Sequence, residues 1–372
     1  MSHPAPPASP ASAHAAVTWA DPARQAAFDA WLAPLAAAHG LQPASLRPAS
    51  SDASFRRYLR VDTATPGRSC IVMDAPPDKE DCRPFVQVQA LMQQAGLNVP
   101  QILAWDAAHG FMLLSDLGPH TLMQALDPAD PQKAHPWYLQ AIDLLVDWQK
   151  ASRPGVLPPY DEALLQRELA LFPDWYLARH RQVTLTEAQQ QMLTRTFAAI
   201  VANNLQAPQV FVHRDFMPRN LMQPVHAGAP PGVLDFQDAV YGPITYDIAS
   251  LLRDAFLSWE EDFVIDITVR YWEKARKAGL LGAASASGWG QDFGEFYRAV
   301  EWMGLQRHLK VAGIFARLTL RDGKPQYLQD APRFIGYIRS TASRYRELAP
   351  LLRFINEVEQ VQETIGYAYG RM

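Results

Sequence analysis

Apolar residues first recur at helical spacing between Asp21 and Gly40, where Phe28, Trp31, Leu32 and Leu35 share one face and Gly40 ends the run. The pattern then shortens. Small polar residues at 48–54 lead into an alternating run that ends at Val61, and residues 68–73 form a second such run, so a turn at Pro66-Gly67 between them predicts a β-hairpin. Residues 83–96 return to helical spacing, with Phe85, Val88 and Leu91 on one face; 99–105 and 111–118 read as strands, the latter ending at a Gly-Pro turn. Beyond Leu122 the period is helical again over 137–149, 164–179 and 187–203, with a Pro-rich connection at 153–160. Only two short apolar runs, 210–212 and 232–234, break this helical half, and each stops abruptly in polar residues. The expected architecture is α+β: a tail over 1–20, a small strand-rich lobe over 21–118 and a larger, mainly helical lobe over 119–372.

Composition narrows the classes without choosing among them. A chain of 372 residues with 48% hydrophobic content can bury a sizeable core. A net charge of −4 gives no general attraction to nucleic acid or to an anionic membrane, so neither is an expected partner and any cationic site must be local. Two cysteines, Cys70 and Cys82, make neither a disulfide framework nor a zinc site, which fits a reducing cytoplasm. Residues 1–16 lack the basic and apolar regions of a signal peptide, and no apolar run approaches the roughly 18 residues of a membrane span.

The chemistry collects where the two short strands end. His213-Arg214-Asp215 followed by Asn220 has the spacing of a kinase catalytic loop, and Asp235 follows on the next strand. Each residue alone reads as a turn or cap residue; the joint pattern is far more specific. Asn220 and Asp235 offer the oxygen ligands that Mg²⁺ prefers, which leaves Asp215 to accept the proton of a substrate hydroxyl. His213 reads as an imidazole packed beneath the loop and bonded to backbone, and Asp247 as a structural residue at a helix start. The loop at 50–54 either covers phosphates with backbone N–H and hydroxyl donors or is an ordinary surface turn. Further on, Arg307, Lys310, Ile314, Arg317 and Arg321 share one helix face, while Trp302, Leu305, Leu309, Ala312 and Phe315 line another. That basic stripe suits a carboxylated acceptor and repels a polycation, unless it is simply a solvated face.

The motifs around Asp215, around Asp235 and at 242–254 together resemble the aminoglycoside phosphotransferase-like kinases, which implies a protein-kinase-like fold. More narrowly, residues 73–80, 234–254 and 301–317 resemble the anomeric sugar kinases of bacterial cell-wall recycling, which use ATP to phosphorylate the C1 hydroxyl of N-acetylmuramate and N-acetylglucosamine. The resemblance runs from about residue 31 to about 345. It implies ATP and Mg²⁺ as cofactors, Asp215 as base, and Asn220 and Asp235 as metal ligands. It also implies nucleotide contacts at Ser51, Ser54, Arg57, Leu114, Asp116 and Leu117, and an amino-sugar site among Arg219, Gln237, Asp238, Arg307 and His308. The chain departs from the kinase pattern at the strand that normally offers a lysine to the phosphates, which ends in Val72-Met73-Asp74, and at Gln87 and Gln89, where the helix would carry the glutamate partner. Lys79, Arg56 and Arg57 are the cations left nearby. Two rival readings stay open: a kinase of aminoglycosides or other small alcohols, and a nucleotide-binding pseudokinase, the latter opposed by the intact Asp215, Asn220 and Asp235.

Overall fold

The alternating runs of the N-terminal half become a five-stranded sheet in the computed structural model, which describes residues 17–51, 55–226, 228–282 and 288–361. Its strands are β1 (Arg47–Ser51), β2 (Arg57–Asp62), β3 (Ser69–Asp74), β4 (Ile102–Asp106) and β5 (Phe111–Ser115), in the order β1-β2-β3-β5-β4 with every pairing antiparallel. Alternation decides which side is buried: Leu59, Val61, Val72, Phe111 and Leu113 turn to the core. Helix α1 (Pro22–His39) covers them with Phe28 and Leu32. It starts where the Asp21 carboxylate accepts from the Ala23 N–H at 2.9 Å and stops at Gly40, whose φ of +62° a residue with a Cβ adopts at a cost. Burying each such apolar side chain contributes about 1.5–3 kcal/mol. The packed chain begins earlier than the boundary expected at residue 21, because Val17 and Trp19 rest on this core. The rest of the expected tail, up to residue 16, lies outside the described residues.

Polar groups close the sheet. Asp74, where a kinase strand carries its lysine, is buried and faces Arg57 across the β2–β3 ladder. It accepts from both Arg24 and Arg57, with Arg24 Nη2 at 2.5 Å. Asp116, just past β5, binds Arg60 Nε at 2.5 Å, the Ser69 hydroxyl at 2.6 Å and the Gly118 N–H at 2.9 Å.

By internal contacts the chain divides into two units, one of the described residues up to Ala90 with Val99–Gly118, the other of Leu91–Asn98 with the described residues from Pro119 onward. Helix α2 (Arg83–Gln94) leads from one to the other in sequence. The second unit contains α3 (Pro131–Lys150), α4 (Glu162–Leu169) and α5 (Glu187–Asn204), then β6 (Gln209–Val212), β7 (Leu221–Met222), β8 (Gly232–Val233) and β9 (Val240–Pro243). After them come α6 (Thr245–Leu252), α7 (Glu261–Lys277), α8 (Phe293–Leu320), α9 (Ala331–Arg344) and α10 (Ala349–Val358). The four short strands form two antiparallel ribbons, β6 with β9 and β7 with β8.

Three features differ from the sequence expectation. Helix α3 starts six residues before 137, at Pro131, because the Asp130 carboxylate caps it by accepting from the Lys133 N–H and proline is well suited to a first turn. The helix expected over 164–179 is split: α4 ends at Leu169 and a π-helical segment spans Phe172–His180, with Pro173, which has no N–H to donate, near its start. Helix α8 is buried on all sides from Ala299 to Gly313, so Arg307 and Lys310 of its basic stripe are interior, whereas Arg317 is half-buried and Arg321 exposed. At Gly313 an added Cβ would stand 2.3 Å from the Leu171 carbonyl oxygen, so the absence of a side chain is what lets α8 pack against the chain entering the π segment.

Candidate active site

Strand β6 delivers His213 into the interior, and the chain must then turn sharply to bring Asp215 back out. Arg214 makes that turn at φ +78°, a conformation that costs a non-glycine residue on the order of 1 kcal/mol and is retained where surrounding bonds hold it. The bonds come from Asp247 in the first turn of α6, whose two carboxylate oxygens accept from the His213 N–H at 2.7 Å and the Arg214 N–H at 3.0 Å. Burial pushes the Asp247 carboxyl up to about 7, against the opposing pull of those two N–H groups. His213 is wholly buried. Its Nε2–H donates to the Leu234 carbonyl at 3.0 Å and its Nδ1 accepts from the Asp215 N–H at 3.2 Å, so both ring nitrogens are spent on backbone. Burial lowers its pKa to about 4. This is the backbone-bonded imidazole expected from the sequence.

The side chain of Asp215 stays half-buried at the mouth of the loop. A short 3-10 turn, Pro218–Asn220, follows and aims Asn220 back at its origin. The Asn220 Nδ2 donates to the Asp215 carbonyl at 2.9 Å and to Asp235 Oδ2 at 3.2 Å. The Leu234 N–H donates to the Asn220 carbonyl, binding the two loops by backbone as well. Asp235 sits just past β8 with φ +63°. Gln237 Nε2 donates to its Oδ1 at 2.9 Å, while the buried Gln237 Oε1 has no hydrogen-bond partner among the described residues. Asp215, Asn220, Asp235 and Gln237 are thus one bonded assembly. Asp238 is exposed beside it.

Beneath the loop lies a charge network that the sequence reading missed. Glu168, near the end of α4, is buried; its carboxylate accepts from Arg214 Nη2 at 2.6 Å, from the Tyr160 hydroxyl and from Lys310 Nζ at 2.8 Å. Lys310 also donates to the Tyr246 hydroxyl at 3.1 Å. Its charge is therefore consumed inside the protein, which removes Lys310 as an open receptor for an acceptor carboxylate. The two cations hold Glu168 below the usual carboxylate range although burial acts the other way. No local pattern announces Glu168; only the helical period of α4, which puts Leu165 and Leu169 in the core beside it, placed it on an inner face.

The remaining acceptor candidates fall into two environments. Arg219 is exposed in the loop that carries Asp215, its guanidinium 4.6 Å over the Phe256 ring. Arg307 and His308, only 2% and 1% exposed, are interior groups. His308 Nε2–H donates to the Arg253 carbonyl at 3.2 Å, its ring stacks on Tyr337 at 4.6 Å, and burial pushes its pKa down to about 3. Arg307 acts electrostatically on Asp247 and on Asp254 alike.

In the first unit, Leu114 stands opposite both Ile71 and Ile102 in the sheet, and the next N–H, of Ser115, is spent on the Gln101 carbonyl. The side chain of Asp116 is committed to Arg60 and Ser69, which leaves backbone near Asp116 and Leu117 for any ligand. Arg57 is held by Asp74 and the Thr18 carbonyl and stacks 4.2 Å over Trp19. Arg56 pairs with Glu80 at 3.1 Å, both largely buried, while Lys79 lies over the exposed Phe55 ring. Ser51 ends β1 opposite Arg57; Ser54 lies outside the described residues. Among the described residues no cluster of three or more His, Cys, Asp or Glu is fit to hold a metal by itself, and no helix is long and apolar enough to cross a membrane.

Residues 45–284 match the phosphotransferase enzyme family. An N-acetylmuramate/N-acetylglucosamine kinase of Pseudomonas aeruginosa is 50% identical over 321 residues, 86% of this chain and 90% of that protein. One of Neisseria meningitidis is 50% identical over 311 residues, 83% and 89% of the two chains. Among solved structures, an ADP-bound aminoglycoside phosphotransferase superposes with a TM-score of 0.55 at 12% identity, covering 85% of this chain and 97% of that one. A choline kinase of Streptococcus pneumoniae does so with a TM-score of 0.55 at 10% identity, covering 85% and 99%. These likenesses show the protein-kinase-like fold.

Proposed function

This chain belongs to the phosphotransferase enzyme family, and within it we propose a kinase that transfers the γ-phosphoryl group of ATP to the anomeric C1 hydroxyl of N-acetylmuramate and N-acetylglucosamine, the amino sugars released in peptidoglycan recycling. The acceptor follows the activity that its half-identical relatives carry by name. The single observation that supports the chemistry is the Asn220 amide bonded to both the Asp215 carbonyl and the Asp235 carboxylate, which joins a base to an oxygen-rich phosphate site.

Asp215 is the general base. With its backbone pinned through His213, Asn220 and Asp247, its carboxylate is left to orient the sugar hydroxyl and accept its proton as the new P–O bond forms. His213 is unsuited to that part, since both ring nitrogens are occupied. Asn220 and Asp235 suit Mg²⁺: their side-chain oxygens are hard donors, and two such ligands match an ion that completes its shell with nucleotide phosphates and water. Held there, the ion would neutralise charge on the transferring phosphoryl group. For the nucleotide, the hinge backbone at Asp116 and Leu117 takes the adenine, and Arg56 with its Glu80 partner replaces the absent strand lysine, Arg57 being neutralised by Asp74. Gln237 and Arg219 face the acceptor, Asp238 flanks them, and Arg307 and His308 support that site from within.

Purified protein supplied with Mg-ATP and either amino sugar should release ADP and form a sugar phosphate whose phosphorus couples to the anomeric proton. ADP release with a cationic aminoglycoside and with neither sugar would reject the acceptor assignment.

A further inference from the structure

Asp254 has a role in neither the fold nor the chemistry described so far, and its environment is peculiar. It lies in the connection between α6 and α7, 1% exposed, with Oδ1 accepting from the Phe256 N–H at 3.1 Å and Oδ2 buried without a hydrogen-bond partner among the described residues. A buried carboxylate oxygen left unbonded is costly, and proteins keep such atoms chiefly where something else completes them. The charges that act on Asp254 come from Arg307 on α8 and Arg219 in the catalytic loop. Arg219 reaches this connection directly, its guanidinium over the ring of Phe256, two residues past Asp254. Asp254 is therefore close to the loop that carries Asp215, on the side where Arg219 is exposed.

Resting on the sugar-kinase reading above, we propose that Asp254, with Arg219 seated on Phe256, forms the acceptor subsite that selects N-acetylated, carboxylated sugars. The free Oδ2 can only accept, so the group that completes it must donate: a ring hydroxyl or the acetamido N–H of the pyranose. Arg219 can only donate, and its exposed planar guanidinium matches the lactyl carboxylate that distinguishes N-acetylmuramate from N-acetylglucosamine. Phe256 carries that guanidinium 4.6 Å over its ring and offers an apolar surface to the sugar. The arrangement assigns each partner a separate job: Asp254 acts on both sugars, Arg219 on the acid alone.

The test is steady-state kinetics of the full-length enzyme with each sugar and with ATP. Asp254→Asn keeps shape and removes charge; KM for both sugars should rise about tenfold or more, the loss expected for a hydrogen bond to a charged group, with KM for ATP within about twofold. Arg219→Ala, at an exposed position that folding tolerates, should raise KM for N-acetylmuramate about tenfold more than KM for N-acetylglucosamine. Should the Asp254 variant not fold, the ratio between sugars in Arg219→Ala decides. Turnover by the wild type with sugar KM values unchanged in the variants overturns the subsite alone. A wild type that turns over neither sugar overturns the functional reading and the subsite with it.

Discussion

Asp215 is positioned almost entirely through backbone: its N–H by His213, its carbonyl by Asn220, and the preceding turn by Asp247. Replacing its carboxylate should thus disturb proton transfer far more than structure. Asp215→Asn is expected to lower kcat by about 10²–10⁴-fold with KM for ATP little changed, measured by coupled ADP release. The spacing of His213, Asp215, Asn220 and Asp235 is a local pattern, so the sequence could single out the residues that the structure bonds together here. Arg219, Arg307 and His308 were equally visible as polar residues, but whether each faces water or core depends on which helix lies over it, and spacing does not carry that. Two histidines give a direct check. Burial lowers His213 to about 4 and His308 to about 3, from an ordinary value near 6.5, so their imidazole resonances should show no titration step between pH 7 and 5. The unfolded chain takes up those protons first, so this contribution to stability is complete above the unfolded pKa of about 6.5 and is lost as pH falls from there toward 4. A titration step near 6.5 for either ring would contradict the buried, backbone-bonded placement.

Among elements, α8 and α4 do most to hold the catalytic loop. Glu168 on α4 neutralises Arg214 of the loop and Lys310 of α8 together, so deleting it strands two buried cations. Glu168→Ala should cost about 3–5 kcal/mol in urea unfolding, the penalty of removing one partner from a buried ionic group, and Lys310→Met in the same background should recover part of it. A loss below about 1 kcal/mol would mean that the network does not form. Helix α8 approaches the chain at Leu171 through Gly313, and Gly313→Ala should destabilise by about 1–3 kcal/mol although alanine favours helices, because the Leu171 carbonyl occupies the space of the new methyl group. The helices and the hairpin were legible from apolar period and turn residues. The early start of α3 was missed because its first turn carries no apolar stripe, and the π segment because Phe172, Tyr176 and Leu177 keep an ordinary-looking helical spacing through the break. The burial of α8 from Ala299 to Gly313 was hidden by its own charges: Arg307 and Lys310 look like surface until the Arg253 carbonyl and Glu168, distant in sequence, meet them.

At the scale of the molecule, a small antiparallel sheet covered by α1 and a larger, mainly helical unit belong to a protein-kinase-like fold. The absent strand lysine is accounted for by charge inversion: Asp74 fills the position and recruits Arg24 and Arg57 as its own partners. A pseudokinase would be a natural reading of that loss alone, yet the kinase-named relatives and the bonded set of Asp215, Asn220 and Asp235 favour turnover. Binding of Mg-ATP should raise the thermal midpoint with the logarithm of one plus the ratio of ligand concentration to Kd, continuing to rise beyond saturation, and Asp235→Asn should abolish the Mg²⁺-dependent part of that rise. The most direct test of the central claim is phosphoryl transfer itself, followed by phosphorus–proton correlation of the product from N-acetylmuramate and N-acetylglucosamine. ATP-dependent phosphate coupled to the C1 proton of both sugars, and its loss in Asp215→Asn, is the expected result; nucleotide binding with no transfer, or phosphate on any other hydroxyl, would overturn the assignment.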